Sequence, residues 1–453
     1  MFNKIIRTAK SVFRRLSLPA RFLIFFAALI LFGAILLVLP FAASSGKSCG
    51  FSAALFASAS AVCGCGLKTV STAEYWSEYG KAVILLLIQT GGLAVMLMGT
   101  VFLLKAKHKI TAARKGEPVH FNADGIQGFK VLIKYLLIFV FSAETAGALL
   151  LLGVFIPVYG AGRGIYMSFY HAVSAFCNSG FDIIGDSFPA FSTNLLFASA
   201  MSLMIFAGGI GFGVLADIVS KRRFKRFEIN TKFVLASNLL LTAGGALIIF
   251  ILEFSNNQTL GEMNLLSRIV VSVFSSVSAR TGGFAVFSLS ALKPASFLFY
   301  LLLMSAGASA GSAGGGIKIP YVSLLGMSAW QQIRGRKRVF LGGRTVSSSS
   351  LIKASSVLTI YLLAYAVFTI LLVTAEDITL KSAAAEILSA VSSGGLSTGV
   401  TARLGLMGKL TVILAMYTGK IGLTCLIFSG EISGGKNRND DSGSEYQILT
   451  VPG

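Results

Sequence analysis

Charged residues are scarce in this sequence, and acidic ones are scarcer still. Only 13% of the 453 residues are charged, and the 39 Lys and Arg residues outnumber the 18 Asp and Glu residues. A soluble domain carries about 25% charged residues. Together with 55% hydrophobic residues and a mean hydropathy of +0.79, the low charge excludes an ordinary soluble globular protein.

The chemical groups that enzymes and metal centres use are also few and scattered. The five cysteines have the spacing of neither a disulfide framework nor a zinc site. Cys63 and Cys65 form a C-x-C pair that suits a soft metal, although two small helix residues are the simpler interpretation. No G-x-x-x-x-G-K-[ST] phosphate-binding motif occurs. We therefore predict that the chain is not an enzyme and holds no cofactor or resident metal.

Long apolar runs are what the sequence has instead. An α-helix needs about 20 apolar residues to cross a hydrocarbon core of about 30 Å. Such runs recur from end to end and predict about eight transmembrane helices. They lie at Phe22–Ala43, Ala82–Leu104, Val131–Val158, Leu195–Val219, Phe233–Leu252, Ala295–Met304, Leu358–Val373 and Leu410–Phe428.

The net charge of +21 is distributed in a pattern typical of membrane proteins. Basic residues cluster before the first run and after the second, fourth and sixth, and this bias places both termini in the cytoplasm. A nucleic-acid-binding surface would instead gather its basic residues on one folded domain. We therefore expect lipid as the surroundings, no nucleic-acid partner, and a multi-pass location in the cell (plasma) membrane.

A short pattern occurs four times, at a period of about 110 residues. Each copy is a helix-like stretch of small and hydroxyl residues that leads into a glycine and then an apolar residue. The four copies are Phe56–Leu67, Phe169–Phe181, Phe274–Phe284 and Ile387–Leu396.

Each copy is too short to cross a bilayer and fits a re-entrant segment. Irregular backbone at membrane depth is tolerated only where it is buried in protein or lines a water-filled path. We therefore predict an all-α integral membrane fold of four helix–pore loop–helix repeats around a pseudo-fourfold central pore. The predicted division is an N-terminal segment (1–21), four repeats (22–118, 119–228, 229–345 and 346–432) and a C-terminal tail (433–453).

The glycine that ends each copy has a chemical interpretation. Glycine permits backbone conformations that turn carbonyl oxygens inward, and a ring of carbonyls can replace the hydration shell of a potassium ion. The alternative is that these small residues only let helices pack closely. The predicted selectivity filter consists of Cys65, Gly66, Ser179, Gly180, Gly282, Gly283, Gly394 and Gly395.

The sixth apolar run ends in a segment that is unlike a helix. From Ser305 to Gly316 no side chain is larger than serine, and three consecutive glycines close the segment. Each glycine costs up to about 1 kcal/mol in a helix interior, so we predict a break at membrane depth. Broken helices there mark transport paths; a close-packing surface for a neighbouring helix is the alternative.

A few ionisable residues lie inside the apolar runs. A charge such as that of Lys420 costs about 2.5–3.5 kcal/mol at a helix centre, so it either faces a water-filled cavity or extends to the cytoplasmic edge. Glu144, His171 and Arg280 are interpreted as structural. Asp182 is either a helix cap or an acid that enriches cations at the outer mouth.

These motifs resemble the Trk/Ktr/HKT superfamily of potassium transporters, and by length and span number its KtrB-type pore subunit. The residues that carry the resemblance are His171–Phe176 with Gly180–Asp182, Arg280–Phe284, Gly311–Lys318 and Gly394–Gly399. The resemblance implies that the four repeat glycines form the filter and that Gly66 favours potassium over sodium. It also implies a gate made of Gly311, Ser312, Gly314, Gly315, Gly316 and Lys420.

Two positions depart from the family pattern. The first filter reads Cys63-Gly64-Cys65-Gly66, and the extra glycine is expected to loosen that quarter of the ring. Sodium or mixed sodium/potassium conduction therefore stays open as the alternative function. Lys420 stands where the family usually has arginine, which preserves the charge but not the planar set of donors.

The resemblance also implies partners that the residues alone do not reveal. Potassium is the transported ion, and sodium is a candidate coupling ion for symport. The pore subunit is expected to form a homodimer and to bind a KtrA/TrkA-like cytoplasmic nucleotide-binding ring. The basic loops Lys221–Arg226 and Arg334–Arg344 are candidate docking surfaces, although solvated loops are their ordinary interpretation.

Overall fold

The structure is a computed structural model that describes residues 16–115, 123–336, 338–422, 425 and 445–446. Most of these residues are helical. The first eight helices are α1 Leu18–Leu37, α2 Phe51–Cys63, α3 Thr72–Tyr75, α4 Glu78–Lys115, α5 Ala123–Phe176, α6 Phe188–Ser192, α7 Leu195–Ile210 and α8 Phe212–Lys221. The others are α9 Ile229–Glu253, α10 Leu265–Val277, α11 Pro294–Ser305, α12 Ile319–Ile333, α13 Ser348–Ala375, α14 Leu380–Ser392 and α15 Leu406–Tyr417.

Several of these helices have the length and composition of membrane spans. Within the described residues, α1, α5, α9, α13 and the first part of α4 (Glu78–Val101) qualify singly. Their exposed side chains are large and apolar, such as Leu86 and Leu240, which are 67% and 73% exposed. Because exposed residues of this kind are suited to hydrocarbon rather than water, the chain is a multi-pass, all-α membrane protein.

The fourth predicted run, Leu195–Val219, is not the continuous helix that its hydropathy indicates. It is divided into α7 and α8, which are bent by 100° at Gly211, where φ is +94°. A Cβ at Gly211 would collide with the carbonyl of Ala310, and the next residue, Phe212, donates its N–H to Gly311 O at 3.1 Å. The bend is therefore built around the loop that follows α11.

Two other predicted runs form helices of only 12 residues. These are α11 and α15, and each rises about 18 Å, little more than half of a hydrocarbon core. The chain after α11 is an irregular loop, and the chain after α15 is a π-helical turn, Thr418–Gly422. The predicted break after Met304 is confirmed, because α11 ends at Ser305.

Four helices of the fold carry the repeated glycine motif at their C-terminal ends. We call α2 pore helix 1, the last part of α5 pore helix 2, α10 pore helix 3 and α14 pore helix 4. Pore helix 2 begins after a break in α5 at Gly160, where φ is +76° and ψ is +169°. The repeats contact one another in turn: α4 packs against α2 and α5, α7 against α10, α11 against α14, and α15 against both α14 and α2. The last repeat thus contacts the first, which is the arrangement expected of four units around a central axis.

Glycines permit the close approach of these elements. In the first, second and fourth repeats, Gly91, Gly208 and Gly419 lie directly against pore-helix carbonyls, those of Val62, Phe176 and Val391. Each carbonyl belongs to the residue four positions before the repeat glycine. A Cβ at any of the three positions would overlap the carbonyl, so the helix could not reach its present position.

A small sheet follows α12. Strands β1 (Phe340–Leu341) and β2 (Arg344–Val346) form an antiparallel hairpin, whose turn is Gly342-Gly343, with φ of +56° and +81°. Positive φ at both turn residues is the geometry that favours glycine in two-residue hairpins. Strand β3 (Glu445–Tyr446) pairs in parallel with β2, so this part of the C-terminal tail lies beside the hairpin. Most of the predicted terminal segments 1–21 and 433–453 lies outside the described residues.

Candidate ion pathway

Three of the four pore helices end in the same hydrogen-bonded cap. The residue two positions before the repeat glycine has a left-handed conformation: Gly64, Asn178 and Ser393, with φ of +55°, +52° and +54°. Its N–H bonds to the carbonyl three residues back, and the next N–H bonds to the carbonyl five residues back, as in a Schellman motif. The second set of bonds is Cys65 N to Ser60 O at 2.8 Å, Ser179 N to Ser174 O at 3.0 Å, and Gly394 N to Ser389 O at 2.8 Å.

This cap explains the additional glycine of the first filter. Gly64 occupies the left-handed position that Asn178 and Ser393 occupy in the second and fourth repeats. Glycine adopts this conformation without steric cost, and both hydrogen bonds of the cap are present. The structure gives Gly64 a definite role in ending the helix, and the loosening of this quarter of the ring stays a prediction.

The third pore helix ends differently but delivers its glycine to the same place. A π-helical turn, Ser278–Gly282, extends it, and Gly283 N bonds to Ser278 O at 3.1 Å. The hydroxyl of Ser278 donates to Phe284 O at 2.7 Å and accepts from Phe284 N at 2.8 Å. These bonds hold the residue that follows the glycine.

The four repeat glycines meet at one point of the molecule. All have left-handed φ: +85° at Gly66, +69° at Gly180, +74° at Gly283 and +69° at Gly395. A Cβ on Gly66 would lie 2.7 Å from Ser179 O, one on Gly180 2.6 Å from Gly283 O, and one on Gly395 2.5 Å from Cys65 O. Each glycine therefore lies against the backbone of a neighbouring repeat.

Backbone carbonyls surround this meeting point. Those of Cys65, Ser179 and Gly283 come from three different repeats, and the side chains of Cys65 and Ser179 are directed away from it. Cys65 Sγ lies 3.5 Å from Ser389 O, and Ser179 Oγ bonds to Ser174 Oγ at 2.8 Å. A group of inward carbonyls can coordinate a dehydrated monovalent cation. The structure thus brings together six of the eight residues that the sequence assigned to the filter: Cys65, Gly66, Ser179, Gly180, Gly283 and Gly395.

The loop after α11 is a compact structure rather than an open chain. Its two ends pair through Gly307 N to Ile317 O at 3.0 Å and Ala308 N to Gly315 O at 3.1 Å. Its outer bend is attached to the second repeat through Ser309 N to Gly209 O and Ala313 N to Gly208 O.

Several of the predicted gate glycines lie where no side chain fits. A Cβ on Gly314 would lie 3.1 Å from Thr281 Cγ2, and one on Gly315 would lie 2.7 Å from Ser392 O. Thr281 and Ser392 belong to the ends of pore helices 3 and 4, so the loop lies directly behind the filter. Gly311, at the far bend, has φ of +72°, and Ser312 donates its hydroxyl to Ser309 O at 2.6 Å.

Two buried lysines bind neighbouring carbonyls of this loop. Lys420, 1% exposed, donates to Ala313 O, and Lys318 donates to Gly314 O at 2.9 Å. A Cβ on Gly64 would lie 3.3 Å from Lys420 Nζ, so the ammonium group also lies beside the first filter segment. Its burial contradicts the alternative that Lys420 extends to the cytoplasmic edge. Lys318 ends the motif Gly311–Lys318, but the sequence did not assign it to the gate, because its contact with Gly314 O is recognisable only in three dimensions.

The other ionisable residues of the apolar runs have structural partners. His171 bonds to Met167 O at 2.7 Å, and Arg280 donates to Asn238 O and Asn238 Oδ1 at 3.2 and 3.0 Å. Glu144 accepts from Gln89 Nε2 at 3.2 Å.

Asp182 forms an ion pair with Lys68 and also accepts from Gly185 N at 2.9 Å. Burial raises the pKa of this carboxyl, but Lys68 and the hydrogen bonds lower it more, so the net pKa is below its usual value. Paired in this way, Asp182 is not the free acid at the outer mouth that the sequence left open. The sequence did not identify Lys68 as the partner of Asp182. Both residues occupy the same place in their repeats, since Lys68 lies two positions after Gly66 and Asp182 lies two positions after Gly180.

Comparison with known proteins identifies the family of the chain. Residues 2–434 match the family described as TrkH, cation transport protein. The chain belongs to this family. It is therefore an ion-transport protein and not an enzyme.

Curated relatives match over nearly the whole chain. The potassium/sodium uptake protein NtpJ of Enterococcus hirae is 36% identical over 425 residues, which are 93% of this chain and 94% of the relative. The Ktr system potassium uptake protein B of Bacillus subtilis is 33% identical over 92% of this chain and 93% of its own. That of Vibrio alginolyticus is 30% identical over 90% of each chain.

A solved structure shares the fold. The potassium transporter TrkH from Vibrio parahaemolyticus superposes with a TM-score of 0.73 at 15% identity, covering 92% of this chain and 85% of that chain. This comparison shows that the two chains have the same fold.

The first prediction concerns the backbone at Gly66. Gly66→Ser places a side chain at a left-handed position, which costs about 1–2 kcal/mol, and presses its Cβ against Ser179 O. We expect the ratio of potassium to sodium uptake to fall about tenfold, which corresponds to about 1.4 kcal/mol. The measurement is competitive uptake of the two ions in cells, normalised to the amount of protein in the membrane.

Gly46→Ser is the matched control for this variant. Gly46 also has a left-handed φ, of +69°, but no atom lies within 4 Å of its would-be Cβ. An unchanged ion ratio in Gly66→Ser, or an equal fall in both variants, would contradict the assignment of Gly66 to the site.

The second prediction concerns the lysine that binds the loop. Lys420→Met removes the hydrogen bond to Ala313 O and a positive charge behind the filter. We expect the basal cation flux to rise about tenfold, a change of about 1.4 kcal/mol in the barrier. Initial rates of rubidium uptake measure it. Lys409→Met, on the helix α15 that leads into the turn of Lys420, is the control. A flux that is unchanged or lower in Lys420→Met would be the contrary result.

Proposed function

We propose that this chain takes up potassium across the plasma membrane through a pore whose filter is formed by the four repeat glycines and the residues before them. One observation carries the proposal. Four left-handed glycines from four equivalent segments meet where carbonyls of Cys65, Ser179 and Gly283 converge. Carbonyl oxygens are the ligands that replace the hydration shell of potassium in selective pores.

Potassium is favoured over other cations by two further points. Gly66 fills the first filter position, which by the family resemblance favours potassium. The Ktr-system relatives from Bacillus subtilis and Vibrio alginolyticus are both described as potassium uptake proteins. The hydrogen-bonded cap at Gly64 also argues for a first filter segment as well held as the second and fourth.

Sodium or mixed conduction is the second candidate function. It is favoured by the Enterococcus hirae relative, which is described as a potassium/sodium uptake protein. The first repeat also differs chemically from the second, since Cys65 stands where Ser179 precedes the glycine of the second repeat. The same fold would then discriminate less between the two ions.

The loop after α11 is proposed as the gate. It lies behind the filter, against Thr281 and Ser392, and its backbone would have to move for ions to pass. Lys318 and Lys420 hold its carbonyls at residues 314 and 313. Their positive charges oppose a permeating cation, since like charges repel strongly where water is excluded. Gly311, Ser312 and Gly316 provide the bends that let the loop fold back on itself.

Regulation and assembly belong to the same proposal. The loop Arg222–Arg226 is exposed and strongly basic, and it lies on the side that the charge distribution assigns to the cytoplasm. A surface of this kind suits an acidic face of a cytoplasmic nucleotide-binding ring of the KtrA/TrkA type. We further propose a homodimer with both termini in the cytoplasm, and sodium as a candidate coupling ion.

The third prediction tests transport itself. A bacterial strain that lacks its own potassium uptake systems is transformed with the full chain and its cytoplasmic partner, and is grown on limiting potassium with sodium varied. We expect growth to be restored at potassium concentrations that the empty strain cannot use. The matched control is Gly66→Ser, which is expected to restore growth poorly at the same amount of protein.

Two outcomes would change the account. If the protein reaches the membrane with its partner and growth is not restored, the potassium assignment fails. If growth is restored but uptake of sodium equals that of potassium, the mixed function replaces it.

A further inference from the structure

Two polar side chains occupy the same register in opposite repeats. His171 and Glu386 each lie nine residues before a repeat glycine, on pore helices 2 and 4. Each accepts a hydrogen bond from the backbone N–H three residues after that glycine: Ile183 N to His171 Nε2 at 3.4 Å, and Thr398 N to Glu386 Oε1 at 2.8 Å. We call these two contacts the filter braces, because each joins the two sides of one filter segment.

The brace of the fourth repeat is the more extensive. Glu386 is fully buried, and its Oε1 also accepts from Ser397 Oγ at 2.6 Å and Thr398 Oγ1 at 3.0 Å. Its Oε2 accepts from Thr401 Oγ1. All four donors are neutral and lie on the chain that leaves the filter, three of them at residues 397 and 398 and the fourth, Thr401, in the short 3-10 helix Val400–Arg403. One side chain therefore holds residues 397, 398 and 401 against the pore helix.

The brace of the second repeat has a defined tautomer. His171 Nδ1 lies 2.7 Å from Met167 O, and a carbonyl can only accept, so Nδ1 carries the hydrogen. Nε2 is then the acceptor that faces Ile183 N. A neutral imidazole in this orientation has the same function as the Glu386 carboxylate.

The remaining two repeats lack a brace of this kind. The corresponding residues are Ala57 and Phe274, neither of which can accept a hydrogen bond through its side chain. In the third repeat Ser278 holds Phe284 instead, from a position closer to the glycine. The braces thus occur in repeats 2 and 4, which face each other across a ring in which each repeat contacts the next.

The physical need for a brace follows from the chain beyond the glycine. It is not helical, so its N–H groups have no partner within a helix, and a buried N–H without an acceptor is unfavourable. Without the acceptor, the chain would shift to find another partner. Because only three residues separate the braced N–H from the filter glycine, such a shift would move the carbonyls that line the site.

We propose that Glu386, with His171 as its counterpart, is a positioning residue that sets the discrimination between potassium and sodium by fixing the chain beyond the filter glycine. The proposal rests on the proposed function of potassium uptake. It assigns no ion contact to Glu386, which acts through the backbone of residues 395–398.

Three substitutions of Glu386 separate position from charge. Glu386→Asp retains the carboxylate but is shorter by one methylene group, so it cannot reach Thr398 N. Glu386→Gln retains the length and one carbonyl acceptor for that N–H, and the Thr401 hydroxyl can rotate to accept from its amide. Glu386→Ala removes the brace completely. Each variant is expressed in cells as the full chain. The KM for uptake of rubidium, which replaces potassium as the probe, and the KM for uptake of sodium are measured, and the amount of the protein in the membrane is determined in parallel.

We expect Glu386→Gln to keep the ratio of the two KM values within about twofold of the unsubstituted chain. In Glu386→Asp and Glu386→Ala, the KM for rubidium should rise about tenfold relative to the KM for sodium. This change corresponds to about 1.4 kcal/mol. A helix-stability role alone would lower the amount of protein in all variants without changing the ratio. His171→Phe, which copies the residue of the third repeat, should produce a smaller change in the same direction.

The outcomes distinguish the two levels of the account. If the unsubstituted chain shows no saturable rubidium uptake, the proposed function fails. If it is selective and Glu386→Asp retains the same ratio of KM values, the brace is overturned. If Glu386→Gln loses selectivity as completely as Glu386→Ala, charge rather than position is responsible, and the brace is also overturned. Should Glu386→Ala fail to accumulate, the comparison of Asp with Gln decides the question.

Discussion

Contact between backbones constrains the centre of this protein. At Gly66, Gly180, Gly283 and Gly395 the chain of one repeat lies so close to that of another that a Cβ would lie 2.5–2.9 Å from its atoms. The four glycines are left-handed, a conformation in which other residues are strained. The pore-helix caps, the glycines of the following helices and the small residues around them all serve this approach.

The same constraint extends to the loop behind the filter. Gly314 and Gly315 lie against Thr281 and Ser392 with no space for a side chain. Lys318 binds the carbonyl of residue 314, and Lys420 binds that of residue 313. Backbone carbonyls thus occur in two layers. Those beside the repeat glycines can coordinate a transported cation, and those of the loop are bound by the ammonium groups of the two lysines. The gate proposed for this loop would open by changing hydrogen bonds rather than by rotating a bulky side chain.

The sequence predicted the membrane fold, the four segments and the break after Met304, because hydropathy, repetition and glycine content are local signals. It did not predict the bend at Gly211, since the loop contacts that cause it are distant in sequence, nor the end of α15 at Tyr417. The role of Gly64 in ending its helix is recognisable only from the matching left-handed caps at Asn178 and Ser393. Lys68, Lys318 and Glu386 were missed because their partners are recognisable only in three dimensions, although the shared register of His171 and Glu386 was available in the aligned repeats.

The most direct test of the central claim is to locate the cation. Crystals of the full chain grown in rubidium, with anomalous diffraction recorded at the rubidium edge, would show where the ion binds. The account predicts a peak enclosed by the carbonyls of Cys65, Ser179, Gly283 and the fourth filter segment, which disappears in Gly66→Ser. A bound rubidium ion away from these carbonyls, with none between them, would contradict it.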